Sequence, residues 1–186
     1  MHLAAELTSH DPARTLHVNV SGTWNVLAAV ERAGARRVVV TSSVNALGVF
    51  MGEGRPDFLP VSDEHPCRPV SPYGTSKRLV EVLCATFTAR TGIATLCLRP
   101  PAVLDDASLA ARRAEHRADP ASEFRPYWEY GAFLHVADLA EAVLAALRCP
   151  DPLGGHAQQA AVGIQILGGV RHIGAVGGQL PNPRLH

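Results

Sequence analysis

Arg36–Ser43 reads RRVVVTSS, and its three valines follow one another with no polar residue between them. A strand with one wet face alternates apolar and polar residues. An unbroken apolar run is the pattern of a strand covered on both faces, as in a parallel sheet flanked by helices. The run ends in Thr41, Ser42 and Ser43, polar residues at the carboxyl end of the strand, which is where such sheets bind their ligands. A second run of the same kind, IATLCLRP from Ile93 to Pro100, is short, almost wholly apolar and stopped by proline.

Helical patterns surround these strands. PARTLHVNVSGTWNVLAAVERAG, Pro12 to Gly34, starts with an N1-type proline after Asp11 and places Leu16, Val20, Trp24, Leu27 and Val30 near helical spacing. Gly22 inside it lowers helix propensity, so a close approach to a neighbour or a ligand is expected there. A second helix begins near Ser71 or Pro72 and stops at Gly92, with Leu79, Val80, Leu83, Cys84 and Phe87 as its apolar stripe and Leu79, Leu83 and Phe87 facing the sheet. Between the first strand and this helix, Val44 to Val70 lacks a sustained period and reads as a long loop. SLAARRAEHRA, from Ser108, is a short exposed helix whose Arg112, Arg113 and Arg117 are interleaved with acidic residues, and AFLHVADLAEAVLAALRC is a brief strand or turn feeding a helix capped at or near Asp138. Strand, helix, strand, helix at this spacing specifies an α/β fold with a parallel sheet and crossover helices. Residues 1–150 form that domain, and residues 151–186 are a glycine-rich tail expected to be loosely folded or foreign to it.

Composition removes several functions. Lys plus Arg and Asp plus Glu are balanced at 17 each in 186 residues, so no excess positive charge attracts nucleic acid or an anionic membrane. No stretch is long and apolar enough to span a bilayer, and the first residues lack a signal-peptide pattern, so a cytoplasmic protein is expected. Cys67, Cys84, Cys97 and Cys149 fit neither a zinc knuckle nor a C-x-x-C pair and read as reduced thiols; the scattered histidines show no ligand spacing, so no metal is expected. The remaining partner class is a small-molecule substrate, with a homodimer as an assembly open to the chain.

SPYGTSK, Ser71–Lys77, carries the chemistry. Tyr73 and Lys77 are four residues apart at a helix start and share a face. A phenol near its reference pKa of about 10 is a poor acid or base at neutral pH, and an adjacent ammonium brings it toward the working range. A surface tyrosine beside a solvent-facing lysine has the same spacing, and what separates the two readings is Ser43. In a parallel sheet the strand end that carries it lies near the start of the helix feeding the next strand, where a serine hydroxyl reaches the substrate oxygen that Tyr73 protonates.

HLAA, NVSGTWNVLAAVERAGARRVVVTSSVNALG, PYGTSK, LRPPAV and FLHVADLAEAV, in that order, resemble the extended short-chain dehydrogenase/reductases, the NAD-dependent epimerase/dehydratase family, over Met1 to Cys149. The resemblance implies a partial Rossmann-like, doubly wound parallel sheet whose amino-terminal strands are absent. It implies NAD or NADP as cofactor. It makes Ser43, Tyr73 and Lys77 catalytic, with Ser42 as the alternative serine, and makes Ser43, Asn45 and Tyr73 substrate contacts. Leu3, Ala4, Ala5, Ser42, Tyr73, Lys77, Pro100 and Val103 become cofactor contacts, Asn19 a polar position of the helix, and His135 with Asp138 chiefly architectural. The implied activity is oxidoreduction or epimerisation/dehydration of a small carbonyl, alcohol or sugar-nucleotide substrate. Leu47, standing where sugar-nucleotide epimerases carry a tyrosine, tilts this toward a carbonyl reductase or alcohol dehydrogenase. The family's G-x-x-G-x-x-G phosphate loop has no counterpart here: Gly52-Glu53-Gly54 lies in a polar loop and opens no apolar helix. A truncated form of the family is therefore expected, and the alternative is a non-catalytic interaction or structural module derived from it.

Overall fold

A computed structural model describes residues 1–7, 11–58, 61–62, 64–121, 132–149, 158–160 and 165–166. Helix α1 (Pro12–Leu16) runs through one π-helical turn (His17–Ser21) into α2 (Gly22–Arg32). Strand β1 (Arg37–Thr41) follows, then a 3-10 turn (Val44–Leu47), α3 (Pro72–Thr91) and β2 (Ala94–Leu98). The chain continues with β3 (Ala102–Leu104), α4 (Asp106–Ala118), β4 (Ala132–His135), α5 (Val136–Arg148), β5 (Gln158–Ala160) and β6 (Gln165–Ile166).

β1 and β2 are parallel, with Arg37 opposite Ala94 and Thr41 opposite Leu98, and α3 makes the crossover between them. β5 extends this sheet in parallel beyond β2, while His2 bridges to Val40 on the free side of β1. A second sheet pairs β3 with β4 in parallel and β4 with β6 antiparallel. Of the expected glycine-rich tail, only β5 and β6 belong to the described residues.

The valine run behaves as a strand covered on both sides. Val38 and Val40 pack with Leu27, Val80, Cys84, Phe87 and Cys97, whereas Val39 joins Leu96, Leu98, Val143 and Ala146 on the other face. Successive side chains alternate across a strand, so three consecutive valines need apolar cover from α2 and α3 on one side and α5 on the other.

The helix faces differ from the expected stripes. Trp24 is 42% exposed and Leu16 and Val20 are only half-buried. The buried row is instead Thr15, Asn19, Thr23 and Leu27. Each polar member is satisfied inside: the Thr15 hydroxyl donates to the Asp11 carbonyl, Thr23 to the Asn19 carbonyl, and the Asn19 amide to the Ser76 hydroxyl. The π turn, closed by the Gly22 N–H on the His17 carbonyl, takes more residues per turn than an α-helix and keeps residues four apart in line. A Cβ on Gly22 would meet nothing within 4 Å, so among the described residues no neighbour outside its own helix approaches it. On α3, Leu79 is 41% exposed and Leu83 only partly buried, while Phe87 is in the core as expected. The inward position beside Val80 belongs to Glu81.

Two further boundaries are set by caps. Ser71 caps α3 by accepting from the Gly74 N–H, with Pro72 in the first turn. α5 is capped by His135, whose Nδ1 accepts from the Ala137 N–H, and Asp138 lies in the first turn, where it suits the helix dipole. The long loop after β1 is partly packed: Val44, Leu47, Val49 and Phe50 form a third apolar cluster. His65 is buried beside it, its Nε2 accepting from the Asp57 N–H and its Nδ1–H donating to the Pro66 carbonyl.

Candidate active site

The carboxyl end of β1 is fastened on both sides. Thr41 N–H donates to the His2 carbonyl, Ser42 N–H to the Leu98 carbonyl and Val44 N–H to the Pro100 carbonyl. Ser43 is extended, and its Oγ accepts from the Asn45 N–H at 3.1 Å as the cap of the 3-10 turn. That bond occupies one oxygen lone pair and leaves the Ser43 hydroxyl proton without an acceptor among the described residues.

The first turn of α3 is pressed onto that 3-10 turn. A Cβ at Gly74 would come within 2.6 Å of the Asn45 carbonyl oxygen, so only glycine lets the two backbones approach this closely. This contact brings Tyr73, on α3, to the corner capped by Ser43. Tyr73 is half-buried, and the Lys77 Nζ lies 5.7 Å from the centre of its ring.

Lys77 is the single lysine of the chain and is only 4% exposed. Its Nζ donates to the Thr41 carbonyl at 2.8 Å. Burial is the largest influence on it and lowers its pKa from the ordinary 10.5 to about 8. The lysine therefore exchanges its proton near neutral pH instead of staying permanently charged.

Ser42 is engaged elsewhere. Its hydroxyl donates to Glu81 Oε1 at 2.7 Å. Glu81 also receives Arg99 through two hydrogen bonds, Nε to Oε1 at 2.7 Å and Nη2 to Oε2 at 2.8 Å, and Arg78 Nη1 at 3.2 Å. Both members of this ion pair are 1% exposed. Burial is the largest single influence and works against the Arg99 charge, but the hydrogen bonds Arg99 donates to Glu81, together with the attraction of nearby negative groups, Glu81 first, raise the guanidinium's pKa overall. The sequence marks Arg99 only as the polar end of a strand where a site is expected, and gives Glu81 no part. The signal was present in spacing, since Tyr73, Lys77 and Glu81 recur every fourth residue on one face of α3.

The other expected contacts fall around the same edge. Leu3, 58% exposed, and Ala4 lie on the surface just past the bridge to β1, with Ala5 half-buried. The segment is pinned at both ends: His2 Nε2 meets the Thr23 hydroxyl, and the Asn19 side chain accepts from the Glu6 N–H and donates to the Glu6 carbonyl. Pro100 is buried with its carbonyl on Val44, and Val103 is partly exposed on β3. Asn45 Oδ1 is buried and unpartnered, an acceptor facing no protein donor among the described residues. Leu47, in contrast, is buried in the third apolar cluster with Val44, Val49 and Phe50.

These residues fit the nicotinamide-ribose end of a dinucleotide: an accessible strip at Leu3–Ala5, a lysine amine at the carboxyl edge of the sheet, and a backbone turn at Pro100. A parallel sheet covered on both faces, with a tyrosine–lysine pair at the carboxyl ends of its strands, is the architecture of the short-chain dehydrogenase/reductases. The chain belongs to the NAD dependent epimerase/dehydratase family, whose model matches residues 1–160. It is 30% identical over 149 residues to a UDP-glucose 4-epimerase from Streptomyces lividans, a match covering 70% of this chain and 44% of that protein. Among solved structures it resembles RMD from Pseudomonas aeruginosa complexed with NADPH, with a TM-score of 0.64 and 26% identity over 88% of this chain and 61% of the other. A short-chain dehydrogenase/reductase superfamily protein from Agrobacterium tumefaciens with bound NAD also gives a TM-score of 0.64 at 26% identity, covering 86% and 58% of the two chains. The chain spans less than half the length of the curated relatives it matches.

Proposed function

We propose that this chain carries the proton-transfer half of an NAD(P)-dependent site that oxidises and re-reduces a secondary alcohol carbon of a nucleotide sugar, with epimerisation as the net reaction. The observation that carries the proposal is the placement of Lys77: buried, held on the Thr41 carbonyl beside Ser42 and Ser43, and one helical turn from Tyr73 with a pKa of about 8. The similarity to a UDP-glucose 4-epimerase supports the substrate class. The relatives solved with NADPH and with NAD support a nicotinamide cofactor without choosing between the two forms.

In this reading Ser43 donates its hydroxyl proton to the substrate oxygen, holding it against Tyr73. Tyr73 takes the alcohol proton as the carbon is oxidised and returns it as the carbon is reduced. The Lys77 ammonium favours the phenolate form of Tyr73 during the first step, and its exchangeable proton lets the pair reset. Leu3–Ala5 and the backbone at Pro100 would line the dinucleotide, which when bound supplies the hydride acceptor and donor. Asn45 Oδ1 accepts from a substrate hydroxyl.

The test is interconversion of UDP-glucose and UDP-galactose, with NAD or NADP added, by the chain and by Tyr73→Phe. Loss of the phenol is expected to lower turnover by about 10² or more, because that is the usual contribution of a positioned acid/base. Turnover within about twofold of the unsubstituted protein removes Tyr73 from the reaction. Absence of both turnover and calorimetrically detectable NAD(P) binding moves the chain to the class of non-catalytic modules.

A further inference from the structure

The Glu81–Arg99 pair is the most deeply buried charge in the described structure, and it lies one helical turn along α3 from Lys77. Three elements that bear the site meet on it. Glu81 belongs to α3, Ser42 to the end of β1, and Arg99 to the end of β2, immediately before Pro100. Adjacent residues where β1 ends hold the two kinds of charge: the Thr41 carbonyl accepts from the Lys77 amine and the Ser42 hydroxyl donates to the Glu81 carboxylate.

We propose that Glu81 and Arg99 are a positioning pair for this site, clamping the ends of β1 and β2 onto α3 so that Ser43 meets Tyr73, and cancelling each other's charge so that the field at Lys77 stays close to neutral. The inference rests on the tyrosine–lysine reading above and deepens it. A buried carboxylate alone one turn from Lys77 would hold the ammonium charged, and a buried guanidinium alone would expel its proton. With two hydrogen bonds between them, neither acts alone, and burial dominates at Lys77.

The other groups around the pair do not replace this balance. Arg78 reaches Glu81 only from the surface, with its side chain 37% exposed. A hydrogen bond with Cys84, together with burial, pushes the Cys97 thiol well up, so it is uncharged. Cys67 Sγ takes a bond from Arg99 Nη2 at 3.3 Å. His2, on the segment beside β1, has its pKa lowered by burial first and by the Lys77 charge second, and is neutral where Lys77 titrates. Glu31 and Arg90 pair with each other at the far end of α3. Ser42, with its hydroxyl engaged by the carboxylate, acts in the clamp and not on substrate.

Because Lys77 is the only lysine, protein labelled with 13Cε-lysine gives one resonance whose pH dependence reports this residue directly. The unsubstituted protein should titrate near 8. Glu81→Gln keeps the shape and the acceptor oxygen but leaves the Arg99 charge unbalanced, so the Lys77 pKa falls by about 1. Arg99→Gln leaves the carboxylate unbalanced and the pKa rises. Opposite shifts from two substitutions in one pair are the signature of charge balance, whereas a pair that only props the site open to packing predicts a rise in both as water enters. A rise or no change in Glu81→Gln overturns the proposal. Breaking a buried pair can prevent folding, so circular dichroism accompanies each titration, and the double variant Glu81→Gln/Arg99→Gln, with no stranded charge, decides if a single one melts. In a folded double variant Lys77 should stay near 8, and a return to the ordinary lysine range overturns the charge balance. An ordinary value already in the unsubstituted protein overturns the tyrosine–lysine reading itself, and with it this inference.

Discussion

Substituting Lys77 by methionine should stabilise the fold at neutral pH, and the gain should disappear as the pH rises. In the unfolded chain a lysine holds its proton up to about 10.5, whereas the folded protein releases it near 8. Between these values the unfolded state binds more protons, so the stability contributed by this residue increases with pH across the window. Below about pH 8 the folded protein must keep an ammonium in a site only 4% exposed, which disfavours folding in proportion to the difference in pKa. Two to three pKa units correspond to roughly 3 kcal/mol. Lys77→Met keeps the apolar stem and removes the charge, at the loss of the bond to the Thr41 carbonyl, worth about 1 kcal/mol. Urea denaturation of both proteins at intervals from pH 7 to 10.5 gives the difference directly. Tyrosines and thiols remote from Lys77 titrate alike in both proteins and cancel, and making the comparison in a Tyr73→Phe background removes the phenol that Lys77 influences. The advantage of Lys77→Met should shrink by about 3 kcal/mol from the low to the high end of the range. A difference independent of pH would show that Lys77 titrates like an exposed lysine, and the argument from its burial would fail.

Three other substitutions probe the supports of the site. Gly48 and Gly92 have nearly the same left-handed backbone, φ 75 and 71, but a Cβ at Gly48 would sit 2.2 Å from the Arg68 carbonyl oxygen while one at Gly92 meets open space. Alanine at Gly92 should cost about 1 kcal/mol and at Gly48 more than about 2 kcal/mol by chemical denaturation, and equal costs would refute the role given to the Arg68 contact. Asn19→Ala leaves both backbone groups of Glu6 without their partner, with an expected cost of about 2 kcal/mol and faster exchange of the Glu6 amide hydrogen. An unchanged Glu6 exchange rate would show that Asn19 does not hold the Leu3–Ala5 strip.

What was legible in the sequence followed from local physics. The valine run needed cover on both faces, and the structure supplies it from α2, α3 and α5. Ser71 and Pro72 marked the start of α3, which fixed the phase of Tyr73 and Lys77 on that helix. The stripe on the preceding helix differs from the apolar spacing because its inward residues are polar: the threonines bond the backbone carbonyl four residues back, and Asn19 is held by Glu6 and Ser76, which are remote in the chain. Glu81 was passed over for the same reason. A glutamate beside a valine on an amphipathic helix reads as a surface residue until Arg99, eighteen positions later, is brought against it. Strands of two or three residues, β3, β5 and β6, carry too little pattern to be seen before their partners are known.

The choice of lysine at position 77 follows from the same balance of charge and burial. Every other strong cation in the chain is arginine. Arginine suits Arg99, where a planar fork meets a carboxylate with two bonds and the charge is never released. It would not suit position 77, because a guanidinium cannot lose its proton in the accessible pH range and would keep its full desolvation penalty. Lysine can discharge: its compact amine fits on one backbone carbonyl and its pKa moves with burial. In the proposed reaction the helix carries, at successive turns on one face, the phenol that exchanges a proton, an amine whose pKa burial lowers to about 8, and a carboxylate whose charge Arg99 balances. Stability alone would favour an apolar residue at position 77; the proton transfer to and from Tyr73 proposed above gives a reason for a lysine there.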